Sequence, residues 1–157
     1  MRVLTEHGVR YVVIGGMAGI SHGSNLITID LDICHDRSLE NLERLASALQ
    51  AMGARLRGVD EDVSFLLDAR SLRAGDSFTF TTDAGDLDCL GTPSGTEGYE
   101  DLARSSNEVD LDGVVVRITS LNDLMRMKRA AGRPQDRIAL EILGALRDEI
   151  ERRDTEP

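Results

Sequence analysis

The stretch Tyr11-Val-Val-Ile-Gly-Gly-Met-Ala-Gly-Ile-Ser-His-Gly-Ser-Asn-Leu-Ile-Thr-Ile-Asp-Leu-Asp-Ile33 decides how this chain is read. An apolar run from Tyr11 to Ile14 ends at Gly15-Gly16. A segment able to form a short helix follows, and then Asp30 and Asp32 alternate with Ile29, Leu31 and Ile33. The pattern predicts strand, tight glycine turn, helix and strand, with two carboxylates on one side of the second strand. Glycines at a strand-to-helix turn let backbone N–H groups approach phosphate oxygens, and a helix N-terminus favours anions. The pair is not a dinucleotide fingerprint, because Ile14 stands where its first glycine belongs. Nor is it a P-loop, because no Gly-Lys-Ser/Thr follows.

Residues i and i+2 of a strand project to the same face, about 6–7 Å apart. At that distance two ionised carboxylates repel by roughly 2.5 kcal/mol at an effective dielectric near 20. A divalent cation between them removes the repulsion, and Mg²⁺ binds through one or two carboxylates plus substrate phosphates. A solvated strand face is the plain alternative for Asp30 and Asp32 alone. Asp86-Leu-Asp88 repeats the pattern on a later predicted strand. If the two strands are neighbours, Asp88 or Asp86 faces the first pair, and three carboxylates on one sheet are the makings of a two-metal phosphoryl-transfer site.

Outward from this unit, Val3–His7 reads as the end of a helix stopped by Gly8, and Val9–Ile14 as a buried strand. Met17–His22 reads as two helical turns and Thr28–Cys34 as the second strand. Ser38–Met52 is an amphipathic helix with Leu39, Leu42, Leu45, Ala46 and Leu49 on its apolar face and Ser38 as cap. Ala54–Arg57 is a short strand, and Val59–Gly75 a loop with a helical turn. Ser77–Thr82 and Asp86–Leu90 form a hairpin, Thr92–Gly98 is a turn-rich connector, and Tyr99–Arg104 is a short helix. Val109–Leu111 and Val114–Ile118 form a second hairpin about Asp112-Gly113. Ser120 and Asp123 box the start of a helix to about Ala131. The last helix runs from Pro134 to about Arg153, with a buried stripe expected at Ile138, Ile142, Leu143, Leu146 and Ile150.

The chain has 157 residues, long enough to bury roughly two-thirds of its unfolded surface in one domain. Aromatic residues make up only 3%, so aliphatic side chains must fill the core. No apolar run approaches the ~20 residues of a membrane span, and no export signal opens the chain, so a cytoplasmic location is expected. Cys34 and Cys89 are too few for a disulfide framework. The net charge of −10 argues against strong non-specific DNA binding, which depends on clustered Lys and Arg.

Three further features have ordinary readings. His22 is expected to bond the second strand's backbone rather than phosphate. Cys34, His35 and Cys89 lack zinc-ligand spacing. Arg126, Lys128, Arg129, Arg133 and Arg137 form the densest positive run, readable as a solvated helix face or as a substrate-binding surface.

Taken together, Gly15-Gly16, Asp30-Leu31-Asp32 and Asp88 resemble the minimal nucleotidyltransferases of the DNA polymerase beta superfamily. More narrowly, "YVVIGGMAGISHG…TIDLDI" and "SLNDLMRMKRAAGRPQD" look like the AbiEii-type nucleotidyltransferases, several of which are toxins of toxin–antitoxin pairs. The likeness spans Gly8 to about Leu146. It implies an α/β (α+β) nucleotidyltransferase fold, a mixed sheet flanked by helices, with a core over about 8–118 and a C-terminal helical part over about 120–153. It implies transfer of a nucleoside monophosphate from an NTP to a hydroxyl of an RNA 3′ end or a protein. Two Mg²⁺ ions, or Mn²⁺ in their place, are the implied cofactors, and a cognate antitoxin the implied partner.

Carried onto this chain, the resemblance makes Asp30 and Asp32 metal ligands. Asp88 becomes the third ligand and catalytic base, with Asp86 the lesser choice. Gly15, Gly16, Met17, Lys128 and Arg133 become nucleotide-binding positions. The chain departs from the pattern at Met17, where a Ser is common, and at Leu26, where an Arg is common. Those departures support an alternative, a catalytically silent binding module serving as an antitoxin or partner subunit. A transferase acting on a small molecule such as an antibiotic ranks last, for want of a separate acceptor domain.

Overall fold

A computed structural model describes residues 1–59 and 65–155. The elements in chain order are α1 (Arg2–Glu6), β1 (Tyr11–Ile14), α2 (Gly15–Ser21), β2 (Asp30–His35), α3 (Leu39–Ala51), β3 (Arg55–Leu56) and α4 (Ala69–Ala74). They continue as β4 (Ser77–Thr82), β5 (Gly85–Leu90), α5 (Tyr99–Ser105), β6 (Asn107–Leu111), β7 (Val114–Ile118), α6 (Leu121–Ala131) and α7 (Pro134–Thr155). The strands make one mixed sheet in the order β3-β4-β5-β2-β1-β7-β6. β2 pairs parallel with β5 and antiparallel with β1, which in turn runs parallel to β7.

Burial follows the sequence pattern closely. Tyr11, Val12, Val13 and Ile14 of the central strand β1 are all buried, as an uninterrupted apolar run in a sheet covered on both faces must be. α3 lays Leu42, Leu45, Ala46 and Leu49 on the core, while Leu39 stays half exposed at its start. Ser38 caps this helix by accepting from the Asn41 amide at 3.4 Å. The Asp112-Gly113 hairpin has φ of 57° and 77°, the two positive values that a type I′ turn needs.

Several boundaries differ from expectation for local reasons. β1 starts at Tyr11 rather than Val9, because the Val9 amide is spent on Leu4 O (3.0 Å), closing α1. β2 starts at Asp30 rather than Thr28. The Thr28 hydroxyl instead donates to the Asp30 backbone oxygen (3.2 Å) and Asp30 Oδ1 (2.8 Å). Within the expected loop over Val59–Gly75, α4 is a helix capped by Asp68, which accepts from the Ser71 amide at 2.7 Å. Val63 and the acids Asp60, Glu61 and Asp62 of that reading lie outside the described residues.

The stripe of α7 differs in part from the one expected. Ile138 is 63% exposed and Ile150 37% exposed, whereas Asp136, Ala139 and Leu143 are buried. Leu143 of the expected stripe is buried and Ile142 and Leu146 are half-buried, while the first turn instead buries Asp136, which is tied to cations on the preceding helix and turn.

Candidate active site

The acids meet because two parallel strands are in register. β2 and β5 align Asp30 with Asp86 and Asp32 with Asp88. Neighbouring strands lie about 4.8 Å apart and alternate side chains share a face, so the registration stacks the carboxylates on one side of the sheet. Asp30, Asp32 and Asp88 each bring a carboxylate oxygen within 4.8 Å of the others, and among the described residues this is the group able to hold a metal ion. Cys34 and Cys89 are buried and free elsewhere on these strands, outside any such group.

The electrostatics call for a cation. Burial, with Asp30 and Asp88 alongside, pushes the Asp32 carboxyl up to about 6, even though Lys128 and Arg133 pull the other way. Asp88 is also raised, first by burial, against the opposing pull of Arg57. Hard oxygen donors at this spacing, short of compensating charge, match what a divalent cation such as Mg²⁺ takes.

The glycine pair is built around the same acid. Gly15 opens α2 with φ 65°, and a Cβ there would stand 2.0 Å from Asp32 Oδ2. A Cβ on Gly16 would stand 2.5 Å from Thr28 Cβ. Neither position has room for a side chain, so the first turn of α2 lies close against Asp32 and Thr28.

Above them opens a cleft of about 660 Å³, whose walls include Gly15, Gly16, Asp30, Asp32, Asp88, Lys128 and Arg133. Leu26 lines it as well, and Pro93 and Ser94 of the connector form part of the wall. Met17 is half-buried, packs against the core and is not among the lining residues. Of the basic run, Lys128 and Arg133 reach the cleft. Arg126 instead pairs with Asp101 (2.9 Å) and Asp123 (2.8 Å), and Arg129 and Arg137 are exposed. His22 does bond backbone, but not that of the second strand: its Nε2 lies 2.7 Å from Thr119 O, tying the end of α2 to the segment after β7.

Three residues that pattern reading did not single out complete the site. Thr28 bonds Asp30, as described. Asp136, 1% exposed, accepts from Arg133 Nε (2.9 Å), the Arg133 amide (3.1 Å) and Lys128 Nζ (3.3 Å). Burial works against its charge, but these donors outweigh that and hold the carboxyl below its usual range, so both cations are anchored at the cleft wall. Arg57, just past β3, forks onto Asp86 Oδ2 (2.9 Å) and Asp88 Oδ1 (2.8 Å). Asp136 closes the very segment that carried the family likeness, so a signal for it was present. Arg57 offered none, because only the sheet order brings β3 near β5.

No family model matches the sequence, and no curated protein is similar enough to match. Solved structures are similar in fold. The lincosamide antibiotic adenylyltransferase LnuA, in its lincomycin-bound form, is 12% identical and aligns over 92% of this chain and 92% of that chain, with TM-score 0.59. TM1012 of Thermotoga maritima, provisionally assigned as a nucleotidyltransferase, is 15% identical over 89% of this chain and 87% of that one, with TM-score 0.58. ANT(2″)-Ia in complex with adenylyl-2″-tobramycin is 17% identical over 98% and 94%, with TM-score 0.53. At such identities the likeness speaks for architecture, and the architecture is the nucleotidyltransferase fold.

Proposed function

We propose that this protein is a cytoplasmic, metal-dependent nucleotidyltransferase. It moves a nucleoside monophosphate from an NTP to a hydroxyl of an RNA 3′ end or of a protein. The observation that carries this reading is the convergence of Asp30, Asp32 and Asp88 within 4.8 Å at the floor of a cleft walled by Gly15-Gly16 and by Lys128 and Arg133.

Asp30, Asp32 and Asp88 hold the metal. Two Mg²⁺ ions, or Mn²⁺ in their place, supply neutralisation of the triphosphate and activation of the attacking hydroxyl when bound there. The backbone of Gly15 and Gly16 comes close to phosphate oxygens because neither residue has room for a side chain. Lys128 and Arg133, aimed by Asp136, meet phosphate charge from the other wall. Asp88 takes the proton of the acceptor hydroxyl. The acceptor oxygen then bonds to the α-phosphorus, the bond from that phosphorus to the bridging oxygen breaks, and pyrophosphate leaves.

The toxin role in an AbiEii-type pair, with a cognate antitoxin as partner, rests on the two sequence segments that carry that likeness. A small-molecule hydroxyl is a second acceptor reading, and it has its own support. This chain covers 92% of LnuA and 94% of ANT(2″)-Ia, whose structures hold lincomycin and an adenylylated tobramycin, so the want of a separate acceptor domain does not count against it.

The test is label transfer from α-³²P-NTPs with Mg²⁺, offering RNA, cell protein, a lincosamide and an aminoglycoside in turn. Asp30→Asn and Asp32→Asn should each abolish transfer to whichever acceptor is labelled. Transfer that survives either substitution overturns the mechanism. Failure of the wild type to bind millimolar NTP with Mg²⁺ in calorimetry favours the silent binding module, for which Met17 and the cleft-lining Leu26 are the supporting features.

A further inference from the structure

Arg57 is the one cation in direct ion-pair contact with the carboxylate triad among the described residues. Asp86 and Asp88 stand two residues apart on one face of β5, a spacing that a planar guanidinium spans with its two terminal nitrogens. The Arg57 amide donates to Thr79 O at 2.9 Å, which fixes the backbone beside β4, so the side chain alone is left to move. Arg57 is 35% exposed, Asp86 32% and Asp88 19%, so the pair nearer the surface is Arg57 and Asp86. Asp86 has a second anchor, because Thr81 Oγ1 donates to its Oδ1 at 3.0 Å. It therefore keeps its place whether or not Arg57 also holds Asp88.

Resting on the metal-site reading above, we propose that Arg57 and Asp86 form a latch on the third carboxylate. With no metal bound, Arg57 supplies the positive charge at Asp88 Oδ1. In the latch the entering cation takes that same oxygen, so that Arg57 lets go of Asp88 and remains on Asp86. Asp86 thus serves as the resting place of the displaced guanidinium rather than as a metal ligand, and Arg57 acts as a positioning residue through Asp88. A fixed ion pair that merely secures the two-residue strand β3 has no such linkage to metal.

The latch predicts a coupling that simple charge removal does not. Mn²⁺ affinity is measured by electron paramagnetic resonance of the free ion for the wild type, Arg57→Gln, Asp86→Asn and the double variant. Arg57→Gln should bind Mn²⁺ more tightly by at most about fivefold, the upper end of what an exposed ion pair of this kind contributes. Asp86→Asn should weaken binding several-fold while Arg57 is present, because the displaced guanidinium loses its resting place. In the Arg57→Gln background, Asp86→Asn should change little. Equal effects of Asp86→Asn in both backgrounds mean that only summed charge is at work, and overturn the latch while leaving the metal site intact. A folded wild type that binds no Mn²⁺ overturns the metal-site reading and the latch together.

Discussion

Gly15 lies against Asp32 with no room for even a methyl group between them: a Cβ on the glycine would stand 2.0 Å from the carboxylate oxygen. The left-handed φ of 65° at the same residue adds a second penalty for any side chain. Gly15→Ala is therefore expected to lower stability by about 1–2 kcal/mol from backbone strain alone. It should also displace Asp32, so Mn²⁺ binding falls by more than the stability change explains. Urea unfolding and metal titration of the same preparation separate the two effects; a variant that binds metal like the wild type contradicts the close packing.

Asp32 is half-buried between two other acids, and without metal its charge works against the fold. Asp32→Asn should raise the melting temperature of the metal-free protein at neutral pH by an amount equivalent to roughly 1–3 kcal/mol. Added Mg²⁺ should raise the melting temperature of the wild type and leave that of the variant unmoved. Differential scanning fluorimetry with and without Mg²⁺ checks both halves. A variant less stable than the wild type in metal-free buffer contradicts the expected repulsion.

Asp136 anchors Lys128 and Arg133, and its loss should be felt at a distance from the acids. Asp136→Ala leaves Lys128, 16% exposed, without its partner, while Arg133, 60% exposed, turns to water. A cost of about 2–3 kcal/mol is expected, below the usual figure for a fully buried pair because one partner is mostly solvated. Calorimetry should show weaker NTP binding, with Mn²⁺ affinity changed much less.

His35 ends β2 at 1% exposure, and among the described residues its Nδ1 has no hydrogen-bond partner. Burial, with Arg37 alongside, depresses its imidazole from 6.5 to about 4. Above pH 6.5 the ring is neutral in folded and unfolded chains alike, and it contributes no pH dependence. Between about 6.5 and 4 the unfolded chain takes a proton that the folded one refuses, so stability falls by about 1.4 kcal/mol per pH unit. His35→Leu should reduce the loss of unfolding free energy between pH 7.5 and 4.5 by about 2–3 kcal/mol, read from urea titrations at the two values. An identical loss in both proteins shows that the ring is not the buried neutral group described.

Much of this arrangement is legible in the residue pattern, because local rules and tertiary demands agree there. The run Tyr11–Ile14, the capped helix after Ser38, the Asp112-Gly113 turn and the alternation about Asp30 and Asp32 each state a local geometry that packing then keeps. What pattern could not state is adjacency. Whether Asp86 or Asp88 faces Asp32 depends on the register of two strands far apart in sequence, and the pairing of Asp32 with Asp88 settles it. Arg57 was invisible for the same reason. Ile138 departs from the pattern because hydrophobic periodicity assigns the buried face of α7 to apolar residues alone, while its first turn buries the ion-paired Asp136 instead.

The parallel pairing of β2 with β5 also governs when the three acids can come together. Parallel neighbours cannot be joined by a tight turn, and α3, β3, α4 and β4 intervene between these two strands. Contacts that close so long a loop form late, and a slip of one residue would send Asp86 and Asp88 to the opposite face of the sheet. A chain still emerging from the ribosome, or one paired out of register, has no carboxylate triad at all. The candidate metal site is thus withheld from every partly folded form and exists only in the finished sheet.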